Sequence, residues 1–140
     1  MKQIPSIIVA LVIAAAAGLR GEEIVIVNPA TTATSVSHHQ LAALYFGRKR
    51  SLSTGEHVEI LTLDGGPVQQ AFMTSELSTT PDEFATAWKR LVFSGQGKSP
   101  ASFANEADLV AYVAAHAGTI GYCDAKTAHD AVKVLKIDDQ

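Results

Sequence analysis

The hydrophobic positions of the chain form two kinds of pattern, continuous apolar runs and stripes at helical spacing. Residues 24–27 are a continuous β-branched run, Ile-Val-Ile-Val, and Pro29 ends it. Because such a run is typical of a strand buried on both faces, it indicates a parallel or mixed sheet. Shorter apolar runs predict further strands at 57–63, 119–123 and 132–137. The small, hydroxyl-rich segment 30–36 is predicted to be a loop.

A complete short helix is predicted between Ser37 and Arg50. Ser37 and Gln40 have the spacing of a capping box, which satisfies free amides at a helix start. Gly47 is the residue type that commonly ends a helix in the left-handed conformation. The apolar face that should contact the core consists of Leu41, Leu44 and Tyr45.

Three more helices follow from start signals and apolar spacing. Pro67 is favourable at a first helical position and opens a helix to about residue 77. Thr80 is an N-cap for the strongest amphipathic pattern in the chain. Asn105 caps a helix that continues to Ala115, and Gly118 stops it. The core-facing positions are Val68, Ala71 and Phe72 in the first helix, Phe84, Ala87, Trp88, Leu91 and Val92 in the second, and Leu109, Val110, Tyr112 and Val113 in the third.

The order of these elements, β-α-β-α-α-α-β-β, predicts an α/β domain, with α+β as the alternative. A small mixed sheet flanked by helices accounts for the pattern. About 120 residues suffice for one domain with one core. We therefore assign residues 22–140 to a single domain.

Residues 1–17 have the features of a signal peptide. Lys2 precedes a short apolar run at 7–17, and Ala15, Ala16 and Ala17 provide a cleavage site. A retained anchor is the alternative, although the run is shorter than the roughly 20 residues of a membrane span. Cleavage predicts an exported, periplasmic protein without a stable membrane span.

The charge of the mature chain limits its partners. Loss of Lys2 lowers the 11 cations to 10 against 14 acids, which gives a net charge of −4. This mildly acidic balance argues against nucleic-acid binding. The single cysteine, Cys123, excludes an internal disulfide and is expected to be a buried small hydrophobe.

Two segments are candidates for ligand binding. Arg48, Lys49 and Arg50 could hold an oxyanion, a phospholipid head group or an acidic partner, or be a solvated helix exit that complements the dipole. Residues 64–67, Asp-Gly-Gly-Pro, are either a ligand loop above a strand end or a tight strand-to-helix turn.

Signals of metal, cofactor or enzyme chemistry are weak. His38 and His39 are adjacent and point apart on a helix, and the other three histidines are scattered, so no metal site is expected. No paired carboxylates or nucleophile with a base suggest an enzyme, and no cofactor is expected. Trp88 and Phe93 are predicted to be core residues and not a stacking surface.

Four stretches in order resemble one family. They are the strand with Asn28-Pro29, the Leu-Tyr-Phe-Gly-Arg-Lys-Arg segment that ends at Arg50, Trp88 to Gly97, and Gly118 to Tyr122. Together they resemble the phosphate-type periplasmic substrate-binding proteins, and most of all their short single-lobe relatives. The resemblance implies a single type II periplasmic-binding-protein lobe.

The resemblance also implies a phosphate site that this chain has altered. The family binds phosphate with a Ser-Gly-Thr-Arg run six residues before a phenylalanine. Counted back from Phe72, those positions hold Gly66, Pro67, Val68 and Gln69. Both hydroxyls and the arginine are missing, and proline removes an amide donor.

Two functions therefore remain open from the sequence. The first is a solute-binding-like domain, for a small oxyanion, that works alone or as a homodimer. The alternative is a non-transporting protein-interaction or sensor module of the cell envelope with a protein partner. The candidate ligand-binding residues are Asp64, Gly65, Gly66 and Gln69 with Arg48, Lys49 and Arg50.

Overall fold

The computed structural model describes residues 22–138, and the predicted signal peptide at 1–17 lies outside them. The described part contains six strands and four helices. The strands are β1 (Glu23–Val27), β2 (Ser35–Val36), β3 (Glu59–Leu63), β4 (Ala101–Phe103), β5 (Thr119–Asp124) and β6 (Lys133–Ile137). The helices are α1 (His38–Tyr45), α2 (Pro67–Glu76), α3 (Pro81–Phe93) and α4 (Glu106–Ala115).

The strands form one mixed sheet in the order β2-β6-β1-β5-β3-β4. Strand β1 is antiparallel to both of its neighbours, whereas the other pairs are parallel. Five strands therefore end at the same side of the sheet, which we call the strand-end edge. The opposite side, where these five strands begin, is the strand-start edge. The predicted α/β class and mixed sheet are confirmed.

The local helix signals predicted from the sequence are confirmed. Ser37 and Gln40 form a reciprocal capping box, and their two hydrogen bonds are 3.0 and 3.1 Å long. Thr80 and Asn105 cap α3 and α4 through their side chains. Gly47 follows α1 with a φ of 74°, in the left-handed region. Each signal depends on residues within one turn, which is why the sequence alone reveals it.

Strands β3 and β5 separate toward the strand-end edge. They pair only at Glu59–Thr119 and Ile60–Ile120. Beyond that point the Tyr122 hydroxyl accepts a hydrogen bond of 3.0 Å from the Leu63 amide. The Tyr122 ring stacks on Phe72 of α2 with centroids 3.9 Å apart. A side chain thus replaces the missing ladder bond and attaches α2 to the sheet.

Three predictions about positions along the chain were wrong. Residues 30–36 are not wholly a loop, because Ser35 and Val36 form β2 beside β6. Phe93 is not core, because 89% of it is exposed. It follows Phe84 by nine residues, which at about 100° per residue places it on the opposite face of α3. Val92, in the last turn of α3, was predicted to face the core, but it is 42% exposed.

Within residues 22–138, no helix is long and apolar enough to cross a membrane.

Candidate functional site

The predicted ligand loop lies at the strand-end edge, between β3 and α2. The Asp64 amide donates to the Phe103 carbonyl oxygen at 2.9 Å, so the loop starts beside the end of β4. Gly66 is the N-cap of α2, with a φ of 94° that favours glycine. No side chain caps α2. Its first-turn amides are thus a place where backbone donors and the helix dipole could meet an anion.

The side chains around this opening do little to complement an anion. The side-chain amide nitrogen of Gln69 donates to the Leu63 carbonyl oxygen at 2.9 Å, so this side chain stabilises the end of β3. Asp64, Gly65 and Gly66 are exposed. Because φ at Gly66 is positive, a serine at this position would be strained. The loop is therefore built differently from the hydroxyl-bearing run that the resemblance implies.

Carboxylates are concentrated at the same edge. Glu23 pairs with Asp124 across β1 and β5. Burial raises the pKa of Glu23 above its ordinary value, and the negative charges of Glu76, Asp124 and Glu22 raise it further. Asp64 adds another carboxylate at the end of β3. A negative field opposes the binding of phosphate, which carries the same sign of charge.

The basic segment Arg48–Arg50 lies at the other end of β3. The Val58 amide donates to the Arg50 carbonyl oxygen at 2.9 Å, just before β3 begins. Asp64 comes six residues after Val58, so the two candidate groups are about 20 Å apart along the strand. The structure does not bring the predicted ligand-binding residues together. Arg48 instead lies over the Phe46 ring, 5.6 Å from its centroid.

Residues 49 and 50 line a cleft of about 360 Å³ at the strand-start edge. Lys98 and His57 contribute further polar groups, and Trp88 is part of the apolar wall. We call this space the basic cleft. The Arg50 guanidinium donates to the Gln96 carbonyl oxygen at 3.2 Å and links α1's exit to the loop after α3. The cleft was not predicted from the sequence. The one available signal was the glycine-rich segment 94–100, whose composition indicates that Lys98 lies in a loop.

Two other reactive side chains, His38 and Cys123, are respectively paired and buried. Residues 22–138 contain no group of three His, Cys, Asp or Glu side chains arranged to hold a metal ion. His38 Nε2 lies 2.6 Å from Glu76 Oε1. Cys123 is fully buried, as predicted. Burial raises the pKa of its thiol to about 11, with a smaller contribution from Glu106, so the nucleophilic thiolate is scarce at neutral pH.

No protein-family model matches the chain, and no curated protein is significantly similar to it in sequence. Solved structures do match. A Clostridium perfringens protein assigned as a phosphate ABC transporter substrate-binding protein, with bound phosphate, has a TM-score of 0.64 at 13% identity. The match covers 84% of this chain and 45% of that protein.

Two further structures agree. PstS from Borrelia burgdorferi has a TM-score of 0.64 at 12% identity, over 84% of this chain and 47% of that protein. A possible phosphate binding protein from Planctomyces limnophilus has a TM-score of 0.58 at 18% identity, over 90% and 47%. The chain spans about half the length of these proteins. It therefore has the fold of a single lobe of a phosphate-type substrate-binding protein.

Proposed function

We propose that this chain is an exported solute-binding-like lobe that binds a small oxyanion only weakly at the opening of α2. The observation that carries the proposal is the composition of that opening. No side chain caps α2, while Asp64, Asp124 and Glu23 surround the same edge with negative charge. Backbone amides and the helix dipole are the attractive groups there, and the arginines of 48–50 are at the far end of β3.

The affinity of such a site depends on how well its donors replace the water molecules that hydrate phosphate. Phosphate gives up a strong hydration shell, so tight binding needs several charge-assisted hydrogen bonds that converge on one ion. The α2 opening lacks hydroxyls and an arginine. We expect an affinity for phosphate no tighter than roughly millimolar, or about −4 kcal/mol.

Calorimetric titration of the purified mature protein with inorganic phosphate tests this directly. We expect no saturable binding in the micromolar range. The double variant Val68→Thr/Gln69→Arg restores a hydroxyl and a cation while leaving the left-handed Gly66 unchanged. It should bind phosphate more tightly than the parent chain. Micromolar binding by the unaltered protein would overturn the proposal.

A second function, a protein-interaction module of the cell envelope, is favoured by one observation. Phe93 and Val92 form an exposed apolar pair at the end of α3, with 89% and 42% of each residue accessible. Exposed aromatic residues are enriched where proteins bind each other. If this pair mediates self-association, the protein will sediment faster with rising concentration, and Phe93→Ser will abolish the effect. A monomer at every concentration, with or without Phe93, would argue against a homodimer.

We also propose that the chain is exported to the periplasm, which is compatible with either function. The prediction depends on the apolar run and Ala15–Ala17 near the start of the sequence. N-terminal sequencing of exported material should begin near Gly18. Recovery of chains that still start at Met1 would contradict cleavage. Neither proposal involves catalysis, and the similar structures are those of binding proteins by description.

A further inference from the structure

We propose that the basic cleft binds a small amphiphilic anion, a molecule with one phosphate or carboxylate group and a compact apolar body. This goes beyond the function proposed above, because the cleft lies at the strand-start edge and shares no residue with the α2 opening. It is formed by the exit of α1, the first residues of β3, the face of α3 and the loop that leads into β4.

Three cations provide the polar half of the cleft. Lys49, Arg50 and Lys98 all line it, and Glu59 is the only carboxylate among the lining residues. Neither lysine forms an ion pair with another described residue. The chain has an overall charge of −3, so the cleft is a local region of positive charge. The apolar wall of the cleft reduces the screening of these charges by solvent. An anionic group placed here meets attraction that the strand-end edge does not offer.

The other half of the cleft is apolar and rigid. Trp88, Leu91 and Ile60 contribute side chains to its wall. A Cβ on Gly47 would lie 3.1 Å from the Trp88 ring, and one on Gly97 would lie 3.3 Å from it. The two glycines thus leave room for the six-membered ring of Trp88, whose indole nitrogen donates to the Tyr45 carbonyl oxygen. A preorganised apolar wall favours a ligand with an aryl or short acyl body.

The volume sets the size of the ligand. About 360 Å³ is near the lower end of the range found for small-molecule sites. A benzene ring with one phosphate group fits this description, whereas inorganic phosphate leaves the apolar wall uncovered. The first compound should therefore bind more tightly than the second.

Trp88 is the only tryptophan in the chain and gives the cleft its own fluorescent reporter. The mature protein is titrated with phenyl phosphate, inorganic phosphate and benzyl alcohol while Trp88 emission is recorded. We expect a saturable change with phenyl phosphate, and a Kd at least about tenfold lower than for either fragment. Equal affinity for inorganic phosphate, or no saturable change, would overturn the proposal.

Matched variants locate the binding. Lys49→Gln and Lys98→Gln should each raise the Kd for phenyl phosphate about three- to fivefold, the range expected of an exposed ion pair. Lys89→Gln is the control, since Lys89 is exposed on α3 but does not line the cleft. An equal loss in Lys89→Gln would reject the cleft as the site. Trp88 emission reports binding in the cleft, whereas calorimetry with inorganic phosphate tests the α2 opening, so the two proposals can fail separately.

Discussion

The indole nitrogen of Trp88 donates a buried hydrogen bond of 2.8 Å to the main-chain carbonyl oxygen of Tyr45. That oxygen is in the last turn of α1, where carbonyl groups have no partner within the helix. The Tyr45 hydroxyl in turn donates to the Leu61 carbonyl oxygen at 2.8 Å. These two hydrogen bonds link helix α3 through α1 to strand β3. Trp88 contributes to the family resemblance, as do Gly47 and Gly97 beside it. In this fold the three residues have a structural role.

Removing the Trp88 side chain should destabilise the domain. Only 8% of the residue is exposed, so Trp88→Ala should lower the free energy of unfolding by about 3–5 kcal/mol. Trp88→Phe keeps a ring but leaves the Tyr45 carbonyl without its donor, at a cost of about 1–3 kcal/mol. Denaturant unfolding measures both. Phe93→Ala is the control and should be nearly neutral, and an unchanged stability of Trp88→Ala would remove α3 from the core.

A methyl group at Gly121 should be poorly tolerated. An added Cβ would lie 2.6 Å from Leu109 Cδ2 and 3.6 Å from Val113 Cγ2, because α4 packs closely on β5 here. We expect Gly121→Ala to cost about 1–3 kcal/mol of stability through overpacking. At Gly65 no atom would lie within 4 Å of an added Cβ. Gly65→Ala should therefore unfold at nearly the same denaturant concentration as the parent, and equal effects at both positions would contradict this account.

The hydroxyl of Tyr122 should contribute to stability beyond its ring. It is the acceptor for the Leu63 amide where β3 and β5 separate, and it lies 2.8 Å from the Thr62 hydroxyl. Tyr122→Phe leaves the Leu63 amide buried without an acceptor, which costs about 1–3 kcal/mol. Tyr112→Phe is the comparison, since its hydroxyl makes an exposed contact of 3.5 Å with Glu59. Similar unfolding midpoints for both variants would show that the separation of β3 and β5 needs no such support.

Most of the fold could be predicted because its signals are local or strongly periodic. The capping box at Ser37, the proline at the start of α2 and the β-branched run of β1 each act within a few residues. Strands β2 and β4 were missed for the opposite reason. They have two and three residues, and only pairing with distant segments makes them strands, as between Ser35 and Lys136.

The candidate site was harder to predict than the fold. The sequence put Arg48–Arg50 and the Asp64 loop into one set of candidates, because both carry groups suited to an anion. A strand lies between them, so local patterns alone could not show that they are at opposite edges of the sheet. The basic cleft combines residues from α1's exit, β3 and the 94–100 loop, and its existence depends on tertiary packing that no single segment encodes.

The thiol of Cys123 should be unreactive in the native protein. Burial raises its pKa to about 11, so about one molecule in a thousand carries a thiolate at pH 8. We expect no modification by a thiol-specific reagent in native buffer within the time that denatured protein reacts completely. Denaturant provides the control, since unfolding exposes the same thiol. Rapid labelling of the folded protein would show that β5 opens to solvent.

Acid should weaken the hydrogen bonds by which the Glu56 carboxylate links its own loop to the loop at Thr32. Its carboxylate accepts hydrogen bonds from the Thr54 hydroxyl at 2.6 Å and the Thr32 amide at 2.8 Å. These bonds, led by that of Thr54, lower the pKa of Glu56 from 4.5 to about 2.

The sign of the pH dependence follows from this lowered pKa. The folded state holds the proton less tightly than the unfolded state, so the stabilisation is complete above pH 4.5 and is lost as pH falls toward 2. Glu56→Gln should therefore melt at a lower temperature than the parent at pH 6, and the difference in melting temperature should shrink between pH 4.5 and 2. Asp130→Asn is the control for the loss of one exposed carboxylate. A difference that stayed constant from pH 6 to pH 2 would mean that the Glu56 carboxylate does not hold the Thr32 loop through its charge.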